Sequence, residues 1–321
     1  MKPVFDRPPL YLYSESQMPP AGITQVDMEL RWFSNDTEER YKDKPHPSLA
    51  PEDIVYRFNS KGYRCPEFDL AAYDGDDQIG HKDSANTLKV VSIGASEVFG
   101  VGLPEKFTFP QVFCEMLSRR FGCSTINWNL GISGGSADYI SRVLFSVLPV
   151  LKPDIVLLVF PPILRREFVN DTDRLFIYTD RIDSYGFGSR LLYRFYDPEN
   201  TRQNSAHRAL SSDNSDQINF FKNYQLCEAL CQKHDVMWLY SPFSELQLQH
   251  TKDLINHDHL VLPGLLDLRD ECLKTSDGIA GSLARDLGHP GIKPNQLFAE
   301  SLFARLQALY EFRLPAVNSC N

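Results

Sequence analysis

The chain has 321 residues, is 42% hydrophobic and 23% charged, and carries 33 Lys+Arg against 42 Asp+Glu, a net charge of −9. This is a globular composition, large enough for one large domain or two small ones. Its acidic balance argues against a nucleic-acid binder, whose affinity rests on cations that neutralise phosphates. The longest uncharged apolar run, Ile155 to Leu164, is ten residues with two prolines, against the ~20 that a membrane-spanning helix needs. The opening MKPVFDRPPLYLYSESQMPP has no apolar stretch of the secretory-signal kind, so the expected location is cytoplasmic.

In chain order, residues 1–85 read as an irregular lead-in punctuated by Pro19-Pro20, Pro45, Pro47 and Pro51, an arm packed on the main domain. From Leu88 the character changes. LKVVSI (88–93) is a short β-rich run whose only charge, Lys89, lies near its entrance, as in a buried parallel strand. Residues 107–121 predict a helix, with Phe113 and Leu117 four apart and Gly122 as its C-cap. STINWNL (124–130) is a second strand, and 136–151 a second helix with Tyr139, Val143 and Val147 on one stripe, stopped by Pro153. DIVLLVF (154–160) is the clearest buried strand. Residues 215–234 place Phe220, Tyr224, Cys227 and Cys231 at helical spacing before the strand VMWLY (236–240). A last helix runs from about 295 to 312 with Phe298, Leu302, Leu306 and Leu309 in register. Such alternation implies a parallel sheet with helices on both faces. The expected domain is therefore 86–315, with insertions at about 163–214 and 241–284 and a tail at 316–321.

Both insertions follow strands, where the loops of a parallel sheet build binding sites. The first is rich in aromatics (Phe176, Tyr178, Tyr185, Phe187, Tyr193, Phe195, Tyr196), which would suit an apolar acyl pocket, a small satellite core or a dimer contact. The cysteines number seven, an odd count in a large chain, which does not suggest a disulfide framework. Cys227 and Cys231 lack a CxxC or His pair and read as buried filler rather than half a metal site. His257-Asp258-His259 reads as a polar loop.

Three segments could carry chemistry. The first strand runs directly into Gly94-Ala95-Ser96-Glu97-Val98-Phe99-Gly100-Val101-Gly102, which leaves little but backbone around the Ser96 hydroxyl. A turn or N-cap serine would look the same. It is neither a G-x-S-x-G elbow nor a phosphate-binding Walker loop. Near the C-terminus, Asp286 and His289 lie three apart in DLGHPG, a spacing that lets the carboxylate hold the imidazole at Nδ1, though a capping Asp and surface His would share it. Between them lies Asn129-Leu130-Gly131-Ile132-Ser133-Gly134-Gly135-Ser136, glycine-rich backbone at the same sheet edge, where an oxyanion donor would be wanted.

In this order the segments resemble the blocks of the SGNH (GDSL-type) hydrolase family, over about residues 55–312. VVSIGASEVFGVG is similar to the first block, with Ser96 at the nucleophile position. WNLGISGGS is similar to the second, with Gly134 at the oxyanion glycine, and DLGHPG to the last, with Asp286 and His289. KPDIVLLVF resembles the strand leading to the third block, and FNSKGYRCPEF (58–68) the lead-in of a bacterial branch. The resemblance implies a flavodoxin-like three-layer α/β/α sandwich and a Ser-His-Asp hydrolase or acyltransferase. It would act on a small-molecule or carrier-bound ester or thioester, with no cofactor and no metal. Two positions depart from the pattern. Ala95 stands where the first block has aspartate, and Ile163 falls near the third block's oxyanion-donating asparagine. Arg165 and Arg166 come directly after and could reach back to the oxyanion, or pair with surface carboxylates. The missing asparagine also leaves open a catalytically impaired binding or scaffold protein on the same fold.

Overall fold

The computed structural model describes residues 28–68, 87–169, 175–178, 212–248, 252–275 and 278–314. The aromatics Tyr185, Phe187, Tyr193, Phe195 and Tyr196, the GFGSR run at 186–190 and the 316–321 tail lie outside the described residues.

Before the first core strand come β1 (Glu29–Leu30), α1 (Glu38–Asp43) and β2 (Tyr56–Arg57), with β1 and β2 paired antiparallel. The central sheet has four parallel strands: β3 (Thr87–Gly94), β4 (Ser124–Asn129), β5 (Ile155–Phe160) and β8 (Met237–Pro242), in the order β4-β3-β5-β8. A hairpin of β6 (Arg166–Val169) and β7 (Leu175–Tyr178) lies between β5 and β8 in sequence. The helices are α2 (Ser96–Phe99), α3 (Phe109–Phe121), α4 (Ala137–Leu151), α5 (Asp213–Lys233), α6 (Leu265–Leu273), α7 (Gly278–Ser282) and α8 (Ile292–Tyr310).

The layers arise from the strand pattern. All six residues of β5 are buried. Val156, Leu158 and Phe160 join one apolar cluster with α4 and α5, while Ile155, Leu157 and Val159 join the other with α3, α6 and α8. An uninterrupted apolar run is what a strand covered on both faces requires. The helices end as their residues dictate. Gly122 terminates α3 at φ +62, Ser136 accepts the Tyr139 N–H to start α4, and Pro294 sits in the first turn of α8, where no backbone N–H is needed. The architecture is the expected three-layer α/β/α sandwich.

With β3 between β4 and β5, the chain departs from β3 to opposite sides, and the cleft at the carboxyl ends of these strands is where such sheets place a site. The segment 28–68 has an aromatic cluster of its own. Phe33, Ile54, Tyr56 and Phe58 pack on Phe99 and Val101 of the loop after β3. Cys227 and Cys231 are buried free thiols in the α4–α5 core. His259 stacks on Trp238 at 4.3 Å in a short 3-10 turn. No helix among the described residues is long and apolar enough to cross a membrane.

Candidate active site

Ser96 is the first residue of α2, directly after β3, and is 3% exposed. Gly94 must be bare for this turn, because a Cβ there would lie 2.3 Å from a Val98 methyl and 2.7 Å from the Val159 carbonyl oxygen. After one turn the helix stops at Gly100, whose φ of +78 favours glycine. The N–H groups of Gly100 and Val101 return to the Ser96 carbonyl.

The loop after β4 is fastened to the same edge. Ile132 N–H donates to the Gly94 carbonyl at 3.1 Å, and Asn129 Nδ2 donates to the Val98 carbonyl at 2.7 Å. Gly134 takes φ +82, and Gly135 packs so closely that a Cβ would lie 2.9 Å from the Gly94 carbonyl oxygen. The glycine run read from sequence thus does two things. Gly134 supplies a backbone conformation that L side chains resist, and Gly135 lets two backbones touch.

Asp286 and His289 occupy a tight turn between Leu283 and Pro290, which pair as an antiparallel bridge. His289 Nδ1 lies 2.6 Å from Asp286 Oδ2, and Asp286 Oδ1 accepts the backbone N–H groups of Gly288 and His289. Both side chains are buried. Burial works to raise the Asp286 pKa, yet the facing imidazole and these hydrogen bonds outweigh it and hold the carboxyl down to about 2. With Nδ1–H directed at a carboxylate, Nε2 is the basic nitrogen of the ring. Leu287 inside the turn has φ +54, a left-handed conformation costing a non-glycine residue roughly 1–2 kcal/mol, held here by the Asp286 bonds on either side.

This turn touches the Ser96 loop directly. Arg285 N–H donates to the Gly102 carbonyl at 2.8 Å, and a Cβ on Gly102 would lie 2.9 Å from Ala284 Cβ. The loops holding Ser96, Gly134 and the Asp286–His289 pair are therefore joined backbone to backbone.

The segment after β5 is different. Ile163, near the expected asparagine, packs against the α4–α5 core. Arg165 N–H closes a turn onto Pro162. The Arg166 guanidinium faces Asp138 at 3.6 Å and Asp216 at 3.8 Å, in the first turns of α4 and α5. Beside it, Arg142 makes a two-pronged pair with Glu167 at 2.7 and 2.6 Å. Of the two roles open to Arg166, carboxylate pairing is the one these distances describe.

Sequence reasoning missed the part played by 28–68. Arg64, in the FNSKGYRCPEF run, is 1% exposed and donates to the carbonyls of Phe99, Gly100 and Leu103. It fastens the end of the Ser96 turn from behind. The run had stood out only as similar to a family lead-in, and an arginine beside an Asn-Ser-Lys-Gly turn gave no sign of the carbonyls it would hold. Among the described residues, no group of three His, Cys, Asp or Glu could hold a metal ion.

No family model matches the chain, and no curated protein matches it. Its fold is similar to that of solved structures at low identity. The lipase Lip_vut3 from goat rumen metagenome is 15% identical, with 68% of this chain and 97% of that one covered at a TM-score of 0.40. A family 3 carbohydrate esterase of Clostridium thermocellum is 13% identical over 70% and 98%, at 0.39. The esterase EstA of Pseudoalteromonas sp. is 14% identical over 68% and 97%, at 0.38. Likeness this distant does not bear on activity.

Proposed function

We propose that the chain is a serine-dependent acyl hydrolase or acyltransferase of the SGNH (GDSL) kind, acting on ester or thioester bonds. The observation that carries the reading is the buried Asp286–His289 pair in a turn bonded to the loop that begins at Ser96. Ser96 Oγ attacks the acyl carbon while His289 Nε2 takes its proton. Asp286 holds the ring in the tautomer that leaves Nε2 basic and stabilises the imidazolium as it forms. The backbone N–H groups of Ser96 and Gly134 receive the oxyanion. His289 then returns the proton to the leaving alkoxide or thiolate, giving an acyl-Ser96 ester. Water, or an acceptor alcohol or amine, attacks that ester with His289 again as base, so hydrolysis and transfer use the same residues.

A panel of short- and medium-chain p-nitrophenyl esters and acyl thioesters tests this. Wild-type turnover should fall at least about a hundredfold in Ser96→Ala with the melting temperature retained, because members of a triad act as a unit. A variant keeping more than about a tenth of kcat refutes Ser96 as nucleophile.

One observation favours a second reading, a binding or scaffold protein on this fold. The Ile163 side chain has no donor for an oxyanion and packs on the core, and Arg166 is engaged by Asp138 and Asp216. One lost oxyanion donor costs ~2.7–4 kcal/mol of transition-state stabilisation. Absence of turnover on every ester together with an unreactive Ser96 would favour it.

A further inference from the structure

Arg285 immediately precedes Asp286, and its side chain runs into 28–57 rather than the cleft. It is 1% exposed. Nε and Nη2 donate to the two oxygens of Asp36 at 2.9 and 2.7 Å, and Nη2 also donates to the Arg31 carbonyl at 2.6 Å. Nη1 donates to the Pro51 carbonyl at 2.8 Å, and the guanidinium lies 4.1 Å over the Trp32 ring. Asp36 is likewise 1% exposed. Its Oδ2 also accepts the Tyr56 hydroxyl proton at 2.5 Å, and that hydroxyl oxygen accepts the Gly102 N–H at 2.8 Å.

These bonds close a ring. Gly102 N–H leads to Tyr56, Tyr56 to Asp36 and Asp36 to the Arg285 side chain, while Arg285 N–H returns to the Gly102 carbonyl. One member lies six residues after Ser96 and another one residue before Asp286, so a single carboxylate outside the cleft fixes two loops relative to each other. Burial and the neighbouring Asp36 both push the Tyr56 pKa well up, so its proton stays on the hydroxyl. Ser34, in the Phe33–Asp36 turn, places its Oγ 2.5 Å from Ser133 Oγ and ties that turn to the loop after β4.

Resting on the hydrolase reading above, we propose that Asp36, Tyr56 and Arg285 are positioning residues. They form a clamp, built by the segment that precedes the sandwich, that sets the separation of the Ser96 loop from the Asp286–His289 turn. A polar ring this deeply buried holds one geometry, since every member loses a partner if either loop shifts. Catalytic geometry is sensitive on this scale, a displacement of about 1 Å costing about a hundredfold in rate.

Tyr56→Phe removes one hydroxyl from the ring and keeps the aromatic packing on Phe33 and Phe99. Asp36→Asn is the harsher variant, and where it does not fold Tyr56→Phe decides. Leu306→Ala, in the α8 core, serves as a destabilised control away from the ring. The readouts are amide hydrogen exchange, ester kinetics and the rate of Ser96 modification by a fluorophosphonate. In Tyr56→Phe, exchange should accelerate together in 96–103 and 283–289 while the β5 amides stay protected. The modification rate and kcat should fall about tenfold or more, with KM within twofold. Leu306→Ala should lower the melting temperature at least as much and leave kcat within twofold. Unchanged exchange in both loops, or a kcat loss matched by the control, overturns the clamp. Exchange is read whether or not the protein turns over. A wild type inert to esters and probe would therefore sink the hydrolase reading, while coupled exchange would still establish the clamp and uncoupled exchange would still refute it.

Discussion

Gly135→Ala perturbs the meeting of two backbones without touching any side chain of the site. The new Cβ would lie 2.9 Å from the Gly94 carbonyl oxygen and 3.3 Å from Ala95 Cα. Neither atom can swing away, because both belong to the backbone at the end of β3. An ordinary contact needs about half an ångström more. The cheapest relief is for the loop after β4 to lift, and Gly134, the adjacent residue, lifts with it. Oxyanion donors work within about 2.7–3.1 Å, so that displacement takes the Gly134 N–H to the edge of useful range. Complete loss of a donor costs ~2.7–4 kcal/mol, so a partial loss of roughly 1.4–2.7 kcal/mol, about 10- to 100-fold in kcat, is expected. Overpacking should cost about 1–3 kcal/mol of stability, a drop of roughly 2–10 °C in Tm. Steady-state ester kinetics at 25 °C with parallel calorimetry separates the two effects. A variant whose Tm falls while kcat stays within twofold of wild type would show that the loop after β4 carries no oxyanion donor.

The buried groups make further outcomes measurable. Arg64→Met orphans the Phe99 and Leu103 carbonyls, while Gly100 keeps the Leu103 N–H; at about 1–3 kcal/mol each, denaturant unfolding should show a loss of at least about 2 kcal/mol, and a loss under about 1 kcal/mol would mean they find other donors. Asp286 is held down to about 2 from its ordinary 3.8, so the unfolded chain takes up the proton first as pH falls. Stability of about 2 kcal/mol, fully present above about pH 4, should drain away toward pH 2, and Asp286→Asn should flatten that limb; parallel curves for the two proteins would contradict it. His46 accepts the Ser48 and Leu49 N–H groups at Nδ1 and faces the Leu283 carbonyl with Nε2, and burial pushes its pKa below 6.5. Its contribution is complete above pH 6.5 and shrinks as pH drops below that. Wild-type Tm should therefore fall between pH 7.5 and 5.5 by more than that of His46→Asn, and equal falls would refute the role.

What the sequence made legible was local. Ile155–Phe160 could be read as a buried strand because burial on both faces leaves an unbroken apolar run, and Phe113 and Leu117 marked α3 by spacing alone. Asp286 and His289 were legible as a pair because three residues in one turn suffice to bring them together. Arg285, their neighbour, was not, because its partner Asp36 lies 249 residues away and no periodicity links them. The segment containing Asp36 carries little regular structure of its own, which is why it read as an irregular lead-in. Arg166 illustrates the same limit. Its place after β5 was visible, but not that Asp138 and Asp216 would begin the two helices converging on it.

The most direct measurement is the site and stoichiometry of phosphonylation by a fluorophosphonate, read by intact mass and peptide mapping at pH 7.5. One adduct per chain is expected, located on Ser96, absent in Ser96→Ala and slowed at least about a hundredfold in His289→Ala. A folded wild-type protein that takes up no adduct, or takes it up on another residue, would contradict Ser96 as the nucleophile of this site.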